Sequence, residues 1–381
     1  AASTSVPAAG LSVAATVTID GTQYPNPLRL LDGTGVTDVA RWEGTRRAEL
    51  LTAFRENVYG QPLPRPTKQT ADVQTTEDGD VVSKKVTIGI TGPEGTGSFP
   101  LRLFVPKGQT PRGTFLMIDH RGSVSDDPGQ SSDYAPVSTI TKAGYAFAQI
   151  DANDIAPDDS GSYRSKMINL FHPSGSDLPD DAGRAVAAWA WGASRAMDYL
   201  QTDKDIDPSK IAVIGHSRSG KAALWAGAQD PRFAAVISNN SGSTGAKLAR
   251  RDSAGESISA INSQFPHWFP ETYKRFDGNA DALPVDQNEL LALIAPGRVV
   301  VASAADDGNA DPQGEFLSYL GAAPVYELYG LGDTGLSSTS WPPATGKSFR
   351  GPGMSYHLRS GGHGLEDADW DIYLGSNLFT R

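Results

Sequence analysis

The sequence predicts an α/β protein in which helices cover both faces of a mostly parallel central sheet, giving three layers. Short apolar runs that suit buried strands alternate with helical segments along most of the 381 residues. A serine also lies on a glycine-containing turn between one such strand and the following helix, within residues 210–226. Because no linker divides the chain, we expect a single domain over residues 1–381, with residues 1–25 as an extension that wraps its edge.

The predicted strands are short runs bounded by turn residues. The first is an alternating run at 16–19, and a β-rich stretch follows at 81–91 and 100–106. Apolar runs of a length that suits central strands occur at 114–118, 146–150, 210–214, 234–238, 299–302 and 324–328.

The predicted helices lie between these strands, as the alternation requires. Apolar residues at helical spacing indicate a helix at 41–58, with Trp42 and Leu50 on its apolar face, and another at 181–200, with Trp189 and Met197. Further helices are predicted at 222–226, 288–293, 314–320 and 366–379. Residues 332–352 are rich in loop-forming residues, and we expect them to include an active-site loop.

The composition fits a folded protein and argues against several kinds of partner. The chain is 39% hydrophobic and 20% charged, and its formal net charge of −11 argues against nucleic acid and anionic membranes as partners. It has no apolar stretch of about twenty residues that could span a bilayer. The absence of cysteine excludes disulfides, thiolate metal ligands and cysteine nucleophiles. Small residues at 1–5 are typical of a chain released from a signal peptide, or of a trimmed chain, so we expect secretion.

Residues 215–221, Gly-His-Ser-Arg-Ser-Gly-Lys, form the most informative motif. A serine on a sharp strand-to-helix turn with small neighbours is the layout of a nucleophile elbow, in which the serine adopts a strained backbone conformation. Gly215, Ser219 and Gly220 leave the space that such a turn needs. The second glycine comes one residue later than in the usual Gly-x-Ser-x-Gly pattern. The alternative is a tight turn without chemistry, but suitable partners for Ser217 follow it in the chain.

A nucleophilic serine needs a base, and in the α/β-hydrolase order the chain supplies serine, then acid, then histidine. Of the six histidines, His357 and His363 come last. His363 is flanked by glycines in a loop before the closing helix, where the base belongs, whereas His357 lies in a strand-like segment. We therefore predict His363 as the base. His267, among aromatic residues, is expected to have a packing role.

The acid is expected just after the strand at 299–302, in the segment 304–311. Asp307 is our first choice, Asp306 the second and Asp311 the third. The alternative reading is that these carboxylates cap the next helix, and it suits Asp311, which precedes Pro312.

With these residues in place, the chain from about residue 24 onward resembles the bacterial branch of the glucuronoyl esterases, carbohydrate esterase family 15. The most specific shared motif is Gly-x-Ser-Arg-x-Gly-Lys, matched by residues 215–221. Other similar segments are 187–192, 239–242, 250–251, 265–269 and 283–287. The resemblance implies cleavage of esters at the carboxyl group of 4-O-methyl-glucuronic acid in xylan, which links hemicellulose to lignin alcohols, with no metal or organic cofactor.

The resemblance also implies roles for matching residues. Ser217 would attack the carbonyl carbon, His363 would act as base and then as acid, and Arg218 would contribute to the oxyanion hole. Lys221 and Glu256 would hydrogen-bond sugar hydroxyls. Without the resemblance, Lys221 would be read as a solvated helix residue and Glu256 as a surface carboxylate.

An aromatic side chain could line the cleft as well. Trp268 is a candidate for substrate binding, with Trp341 and Arg121 as further candidates whose placement the sequence alone does not decide.

Two departures from the family pattern stand out. Many relatives carry a glutamate 23 residues after the serine as the triad acid, and here that position is Asn240. The acid must then come from the later loop, which strengthens the prediction of Asp307. Relatives also commonly place a tryptophan two residues after that later acid, where this chain has Asn309. The loss of this aromatic surface puts the substrate in question.

Three functions remain open on the sequence. The first is a monomeric secreted serine esterase acting on glucuronoyl esters in glucuronoxylan or lignin–carbohydrate material, through an acyl-enzyme. The second is a carbohydrate esterase acting on acetyl or methyl esters of sugars, which a preference for acetyl over uronate esters would reveal. The third is a non-catalytic carbohydrate-binding relative, against which the intact serine, histidine and candidate acid argue.

Overall fold

The structure, a computed structural model, describes residues 10–381 of the chain. The first nine residues of the predicted N-terminal extension lie outside this range. The strands in the described range are β1 Thr16–Ile19, β2 Thr22–Pro25, β3 Lys68–Asp78, β4 Val81–Gly92, β5 Gly95–Pro106, β6 Thr114–Asp119, β7 Ala146–Asp151, β8 Ile211–His216, β9 Ala235–Asn239, β10 Arg298–Ala304, β11 Ser348–Arg350 and β12 Met354–Arg359.

The α-helices in the same range are α1 Val39–Arg41, α2 Arg47–Phe54, α3 Val137–Lys142, α4 Ala152–Ile155, α5 Ala185–Leu200, α6 Arg218–Gln229, α7 Ile258–Gln264, α8 Gln287–Ala292, α9 Pro312–Leu328 and α10 Asp367–Gly375. Wider π-helical turns at Trp42–Arg46 and Arg55–Tyr59 join and extend α1 and α2, so the predicted helix at 41–58 is present but irregular.

The main sheet has ten strands in the order β11-β12-β10-β9-β8-β6-β7-β5-β4-β3. The block from β12 to β7 is parallel throughout, and antiparallel strands flank it at both edges. β1 and β2 form a separate two-stranded sheet. The carboxyl ends of the parallel strands therefore meet along one edge of the sheet, the usual place for a site in this kind of fold.

Alternate residues of the central strands enter two separate apolar cores. In β6, Phe115 and Met117 pack into the core that also holds Ile140 of α3 and Trp370 of α10. Their neighbours Leu116 and Ile118 pack into the larger core, which includes buried residues of α5, α6, α8 and α9. Because a strand's side chains alternate between faces, the sheet is covered on both sides. The predicted three-layer α/β fold is confirmed.

Two predicted details differ in the structure. Residues 324–328, predicted as a strand, form the last turns of α9. This short apolar run is long enough for either element, and its Val325 and Tyr326 are buried as part of a helical face. β3 was not predicted, because its residues are almost all polar and exposed. It lies at the sheet edge and is specified by pairing with β4, from Lys68–Thr91 to Asp78–Val81.

The described part of the N-terminal extension lies beside α9. A cavity of about 950 Å³ separates the two, and Val17, Leu28, Leu317 and Trp341 are among its lining residues. Across residues 10–381, the structure has no helix with the length and apolar character needed to cross a membrane.

Candidate active site

Ser217 occupies a strained turn between β8 and α6. Its φ of 57° and ψ of −124° lie in a region that residues with a side chain rarely adopt. A Cβ atom on Gly215 would lie 2.0 Å from the carbonyl oxygen of Ser219, and one on Gly220 would lie 2.9 Å from the Cβ of Ser241. Both glycines are therefore required by close approach. The structure confirms the predicted elbow and explains why its second glycine is at 220.

Position 219, where the usual pattern has glycine, can carry a side chain here, because the serine hydroxyl forms hydrogen bonds. The Ser219 hydroxyl donates to the carbonyl oxygen of His216 at 2.9 Å and lies 2.8 Å from Nδ1 of His120. This buried contact ties the elbow to the loop after β6 and leaves the Ser217 hydroxyl on the open side of the turn.

Three of the predicted residues form a continuous hydrogen-bonded chain. Nε2 of His363 lies 2.9 Å from Oγ of Ser217, and Nδ1 of His363 lies 2.7 Å from Oδ2 of Asp307. Asp307 is buried, whereas the imidazole is 40% exposed and so can meet a substrate. With Nδ1–H donated to the carboxylate, Nε2 is free to accept the serine proton.

The geometry separates the three candidate acids. Asp306 is exposed. Asp311 accepts the backbone N–H of Gly314 at the start of α9 and pairs with Arg251 at 2.8 Å. It therefore caps the helix, which was the alternative role predicted for it. Asp307 alone of the three contacts His363.

Two other histidines considered in the sequence, His357 and His267, lie outside the triad. His357 is buried in β12 and lies 2.7 Å from Asp369, away from the serine. His267 is buried beside the rings of Tyr163 and Trp268, with ring centres 5.9 and 6.3 Å away, as a packing role requires. It also makes a polar contact that was not predicted, 2.8 Å from the carboxylate of Asp158.

Asn240, the amide at the position where relatives carry an acid, has a role in holding the histidine loop. Its side-chain oxygen accepts the backbone N–H of Gly364 at 3.1 Å, and its Nδ2 donates to the carbonyl oxygen of Ala302 at 3.2 Å. Asn240 itself has a positive φ of 49°, a conformation that asparagine tolerates better than most residues. The residue therefore joins the ends of β9 and β10 to the segment that carries His363.

A cleft of about 320 Å³ opens beside the triad. The three residues predicted to bind substrate line it, whereas the further candidates Trp341 and Arg121 do not. Arg218 and both residues at which the chain departs from the family pattern also line it, so that the set is Arg218, Lys221, Asn240, Glu256, Trp268 and Asn309. None of residues 332–352 is part of this lining within the described chain, so the prediction of an active-site loop there is wrong. Trp341 lines the separate cavity beside α9 instead.

Lys221 is buried, contrary to the reading of a solvated helix residue. Its Nζ donates to the carbonyl oxygen of Ser241, and it lies 6.0 Å from the centre of the Trp268 ring. Burial lowers the pKa of Lys221 to about 8, although the carboxylates of Glu256 and Glu315 act in the opposite direction. A buried amine at the wall of a cleft is well suited to binding a polar ligand.

Glu256 and Trp268 form other parts of the cleft wall. The backbone N–H of Glu256 donates to the carbonyl oxygen of Asn309 at 2.8 Å, so the two sides of the cleft are joined there. Trp268 is buried and stacks on Phe265 with ring centres 3.7 Å apart. Its Nε1 donates to Asp158 at 2.8 Å, and only 3% of the residue is exposed, so a ligand in the cleft could contact only a small part of the ring.

Arg218 has a partner that the sequence did not suggest. Its Nη1 donates to Oδ2 of Asp158 at 2.7 Å, and its guanidinium carbon lies 5.0 Å from the centre of the Trp268 ring. Burial would raise the pKa of Asp158, but hydrogen bonds from His267, Trp268 and Arg218 outweigh it and hold the pKa well below its usual range. Asp158 lies far from the serine in the chain and in no recognisable motif, so no sequence signal indicated it.

In this fold the loop after β6 is the usual second source of oxyanion donors, and here two of its N–H groups are already bonded within the loop. The backbone N–H groups of Arg121 and Ser123 donate to the two carboxylate oxygens of Asp119, at 2.7 and 3.1 Å. Asp119 is buried, and burial raises its pKa to about 6. The side chain of Arg121 lies over the Tyr134 ring, 4.6 Å from its centre.

A serine on an elbow, an imidazole on its hydroxyl and a buried carboxylate on the imidazole define a serine hydrolase of the α/β-hydrolase type. The comparisons with known proteins refine this class. A family model described as "Glucuronyl esterase, fungi" matches residues 87–330. The carbohydrate esterase MZ0003 from an unknown prokaryotic organism is 35% identical, over 92% of this chain and 88% of its own.

Two further comparisons agree. The 4-O-methyl-glucuronoyl methylesterase 1 of Wolfiporia cocos is 28% identical, over 86% of this chain and 78% of its own. The structure of a glucuronoyl esterase from Solibacter usitatus superposes with a TM-score of 0.84 at 36% identity, covering 94% of this chain and 98% of the other. The chain belongs to the glucuronoyl esterases, carbohydrate esterase family 15. It is accordingly a carboxylic ester hydrolase.

Proposed function

We propose that this protein cleaves esters of glucuronic acid, including its 4-O-methyl form, through an acyl-enzyme on Ser217. The observation that carries the proposal is the contact of His363 with both Ser217, at 2.9 Å, and Asp307, at 2.7 Å, at the wall of a cleft with polar side chains. Family membership supports the uronate as the acyl group.

In the first half of the reaction, Oγ of Ser217 attacks the ester carbonyl carbon while Nε2 of His363 takes the serine proton. Asp307 accepts the Nδ1–H of His363 and stabilises the imidazolium that forms. The carbonyl oxygen becomes an oxyanion and then reforms its double bond as the bond to the alcohol breaks. His363 returns the proton to the leaving alcohol, so that the uronate remains as an ester on Ser217.

In the second half, a water molecule replaces the alcohol. His363 takes a proton from this water, whose oxygen attacks the acyl carbon and regenerates an oxyanion. The bond to Oγ of Ser217 breaks, the serine recovers its proton from His363, and the free uronic acid leaves.

Arg218 is the candidate oxyanion donor. As the first residue of α6, it has a backbone N–H without a partner inside the helix, and its guanidinium adds further donors with a fixed positive charge. Because two N–H groups of the loop after β6 already donate to Asp119, these donors become more important here.

Recognition of the sugar is assigned to three residues of the cleft. Lys221 donates to ring hydroxyls, Glu256 accepts from them, and the indole of Trp268 supplies an apolar surface. We further propose that the protein acts outside the cell on glucuronoxylan or on lignin–carbohydrate esters, because such wall polymers are too large to enter a cell. We also propose that it is a monomer.

The exposed Asn309 favours one second candidate, a carbohydrate esterase acting on acetyl or methyl esters of sugars. An amide offers no flat apolar surface to a sugar ring, so selectivity for the uronate could be lower than in relatives with an aromatic residue there. The reaction steps on Ser217 would be the same.

The deciding experiment is hydrolysis of the benzyl ester of glucuronic acid by the wild type and by Ser217→Ala, with an acetylated sugar as the comparison substrate. Release of benzyl alcohol that is lost in the variant is the expected result. Activity only on the acetylated sugar would move the assignment to the second candidate. Binding of glucuronoxylan fragments without hydrolysis of either ester would mean a non-catalytic carbohydrate-binding protein.

A further inference from the structure

We propose that Asp158 is a positioning residue for the esterase reaction, because its carboxylate orients the guanidinium of Arg218 toward the oxyanion and fixes that group to the Trp268 wall of the cleft. This inference rests on the proposed function, in which Arg218 is the oxyanion donor. Asp158 itself is separated from the reacting atoms by Arg218.

The two oxygens of Asp158 serve different partners. Oδ2 accepts from Nη1 of Arg218 at 2.7 Å. Oδ1 accepts from Nε2 of His267 and from Nε1 of Trp268, each at 2.8 Å. One carboxylate thus fixes the angle between the guanidinium and the aromatic wall of the cleft, and the bond to Nη1 removes much of the rotational freedom of the arginine side chain.

The backbone that carries Asp158 is itself held by hydrogen bonds. Its N–H donates to the side-chain oxygen of Asn153 at 2.8 Å. Two residues earlier, the carbonyl oxygen of Ala156 accepts Nε1 of the buried Trp189 at 2.9 Å. The Asp158 side chain is only 13% exposed. A carboxylate on a fixed backbone can set the position of its partner, whereas one on a loose loop would follow it.

Arg218 retains donors for a substrate after this pairing. Its side chain is 31% exposed, and within residues 10–381 only Nη1 of the guanidinium has a hydrogen-bond partner. The exposed part of the guanidinium can therefore donate to an acceptor that enters the cleft. We infer that this exposed part faces the position where negative charge develops, which is the condition for electrostatic stabilisation of an oxyanion.

The charge of Asp158 fits this role. Its three hydrogen bonds hold its pKa well below the usual range, so the carboxylate remains ionised throughout the pH range in which an esterase would be assayed. Orientation of Arg218 by Asp158 is therefore expected to be independent of pH.

The test is a double-mutant cycle of Asp158→Asn with Arg218→Gln, followed by kcat and KM on whichever ester the wild type cleaves. Asparagine preserves the shape and an acceptor for Trp268 but removes the charge paired with Arg218. We expect Asp158→Asn alone to lower kcat by about tenfold to hundredfold, with KM changed less than about threefold, as for misplacement of a group that acts in the transition state.

In the Arg218→Gln background, the same change is expected to lower kcat by less than about twofold, because the group it positions is already absent. Asp159→Asn is the matched control, since within residues 10–381 this neighbouring carboxylate bonds only Gly161 and Ser162 of its own loop. Equal losses of kcat in both backgrounds, or a loss matched by a fall in Tm that Arg218→Gln does not share, would overturn the proposal in favour of a purely structural role. Because the cycle is run on any ester that is cleaved, a wrong substrate assignment would leave its result intact.

Discussion

The side-chain oxygen of Asn240 accepts the backbone N–H of Gly364, the residue after His363, at 3.1 Å. An amide thus stands where the family pattern places the triad acid, and it holds the loop of His363, while the carboxylate of Asp307 contacts His363 at 2.7 Å. The bond to the loop and the contact with the imidazole therefore come from separate residues, which follow β9 and β10.

Removal of this tether should weaken catalysis without abolishing it. We expect Asn240→Ala to lower kcat by about tenfold, because the histidine loop loses the hydrogen bond that holds it in place. Steady-state kinetics check this. Asn57→Ala, in a helix remote from the site, serves as control. Unchanged kcat in Asn240→Ala would show that the loop needs no tether.

The identity of the acid can be tested with two adjacent aspartates. Asp307→Asn is expected to lower kcat by about 10³–10⁴-fold, because an amide neither stabilises the imidazolium nor selects the tautomer with Nδ1–H. Asp306→Asn, at an exposed position, should stay within twofold of the wild type, about the error of such comparisons. A large loss in Asp306→Asn with little change in Asp307→Asn would reverse the assignment.

The lowered pKa of Lys221 predicts a pH dependence of substrate binding. Burial brings this pKa to about 8, so the ammonium is present below pH 8 and is lost above it. Charge-assisted hydrogen bonds to the sugar then become neutral ones, and KM should rise severalfold between about pH 7 and 9.5. Initial rates, corrected with Ser217→Ala for hydrolysis by base, give the profile. Lys221→Met should have a raised KM that no longer changes with pH, and a wild-type profile in Lys221→Met would contradict the prediction.

The same shift has a consequence for stability. Because the folded pKa of Lys221 lies below the usual value of 10.5, the unfolded chain binds more protons at this residue between those values. The free energy of unfolding should therefore rise with pH across that interval. The Tm of the wild type minus the Tm of Lys221→Met should therefore increase from pH 8 to pH 10. A difference that is flat, or that falls, would mean that the folded pKa is not lowered.

The elbow should not accept a methyl group at Gly215. A Cβ there would lie 2.0 Å from the carbonyl oxygen of Ser219, so Gly215→Ala must displace the turn that carries the nucleophile. We expect loss of activity together with a destabilisation of about 2–3 kcal/mol, measured by chemical unfolding. Gly375→Ala is the control, since a Cβ at that position would contact nothing within 4 Å. Wild-type activity in Gly215→Ala would mean that the turn adopts another conformation.

The sequence was sufficient for those features that depend on neighbours in the chain or on chain order. Gly215, Ser217 and Gly220 lie within one turn, and their spacing expresses the steric limits of that turn directly. His363 and Asp307 were predicted because the parallel strands of this fold bring the loops after β10 and β12 to the same edge as the elbow. Alternating apolar runs were likewise enough to predict a sheet covered on both faces.

Contacts between distant segments were decided only by the tertiary structure. Asp158 meets Arg218 across 60 residues of sequence, and Asn240 meets Gly364 across 124, and no local pattern encodes either contact. The edge strand β3 is polar and forms through its pairing with β4. The apolar run at 324–328 is helical because it continues α9, which begins at Pro312. Short-range sterics and periodicity act along the chain, whereas hydrogen-bond partners and burial depend on which surfaces the fold brings together.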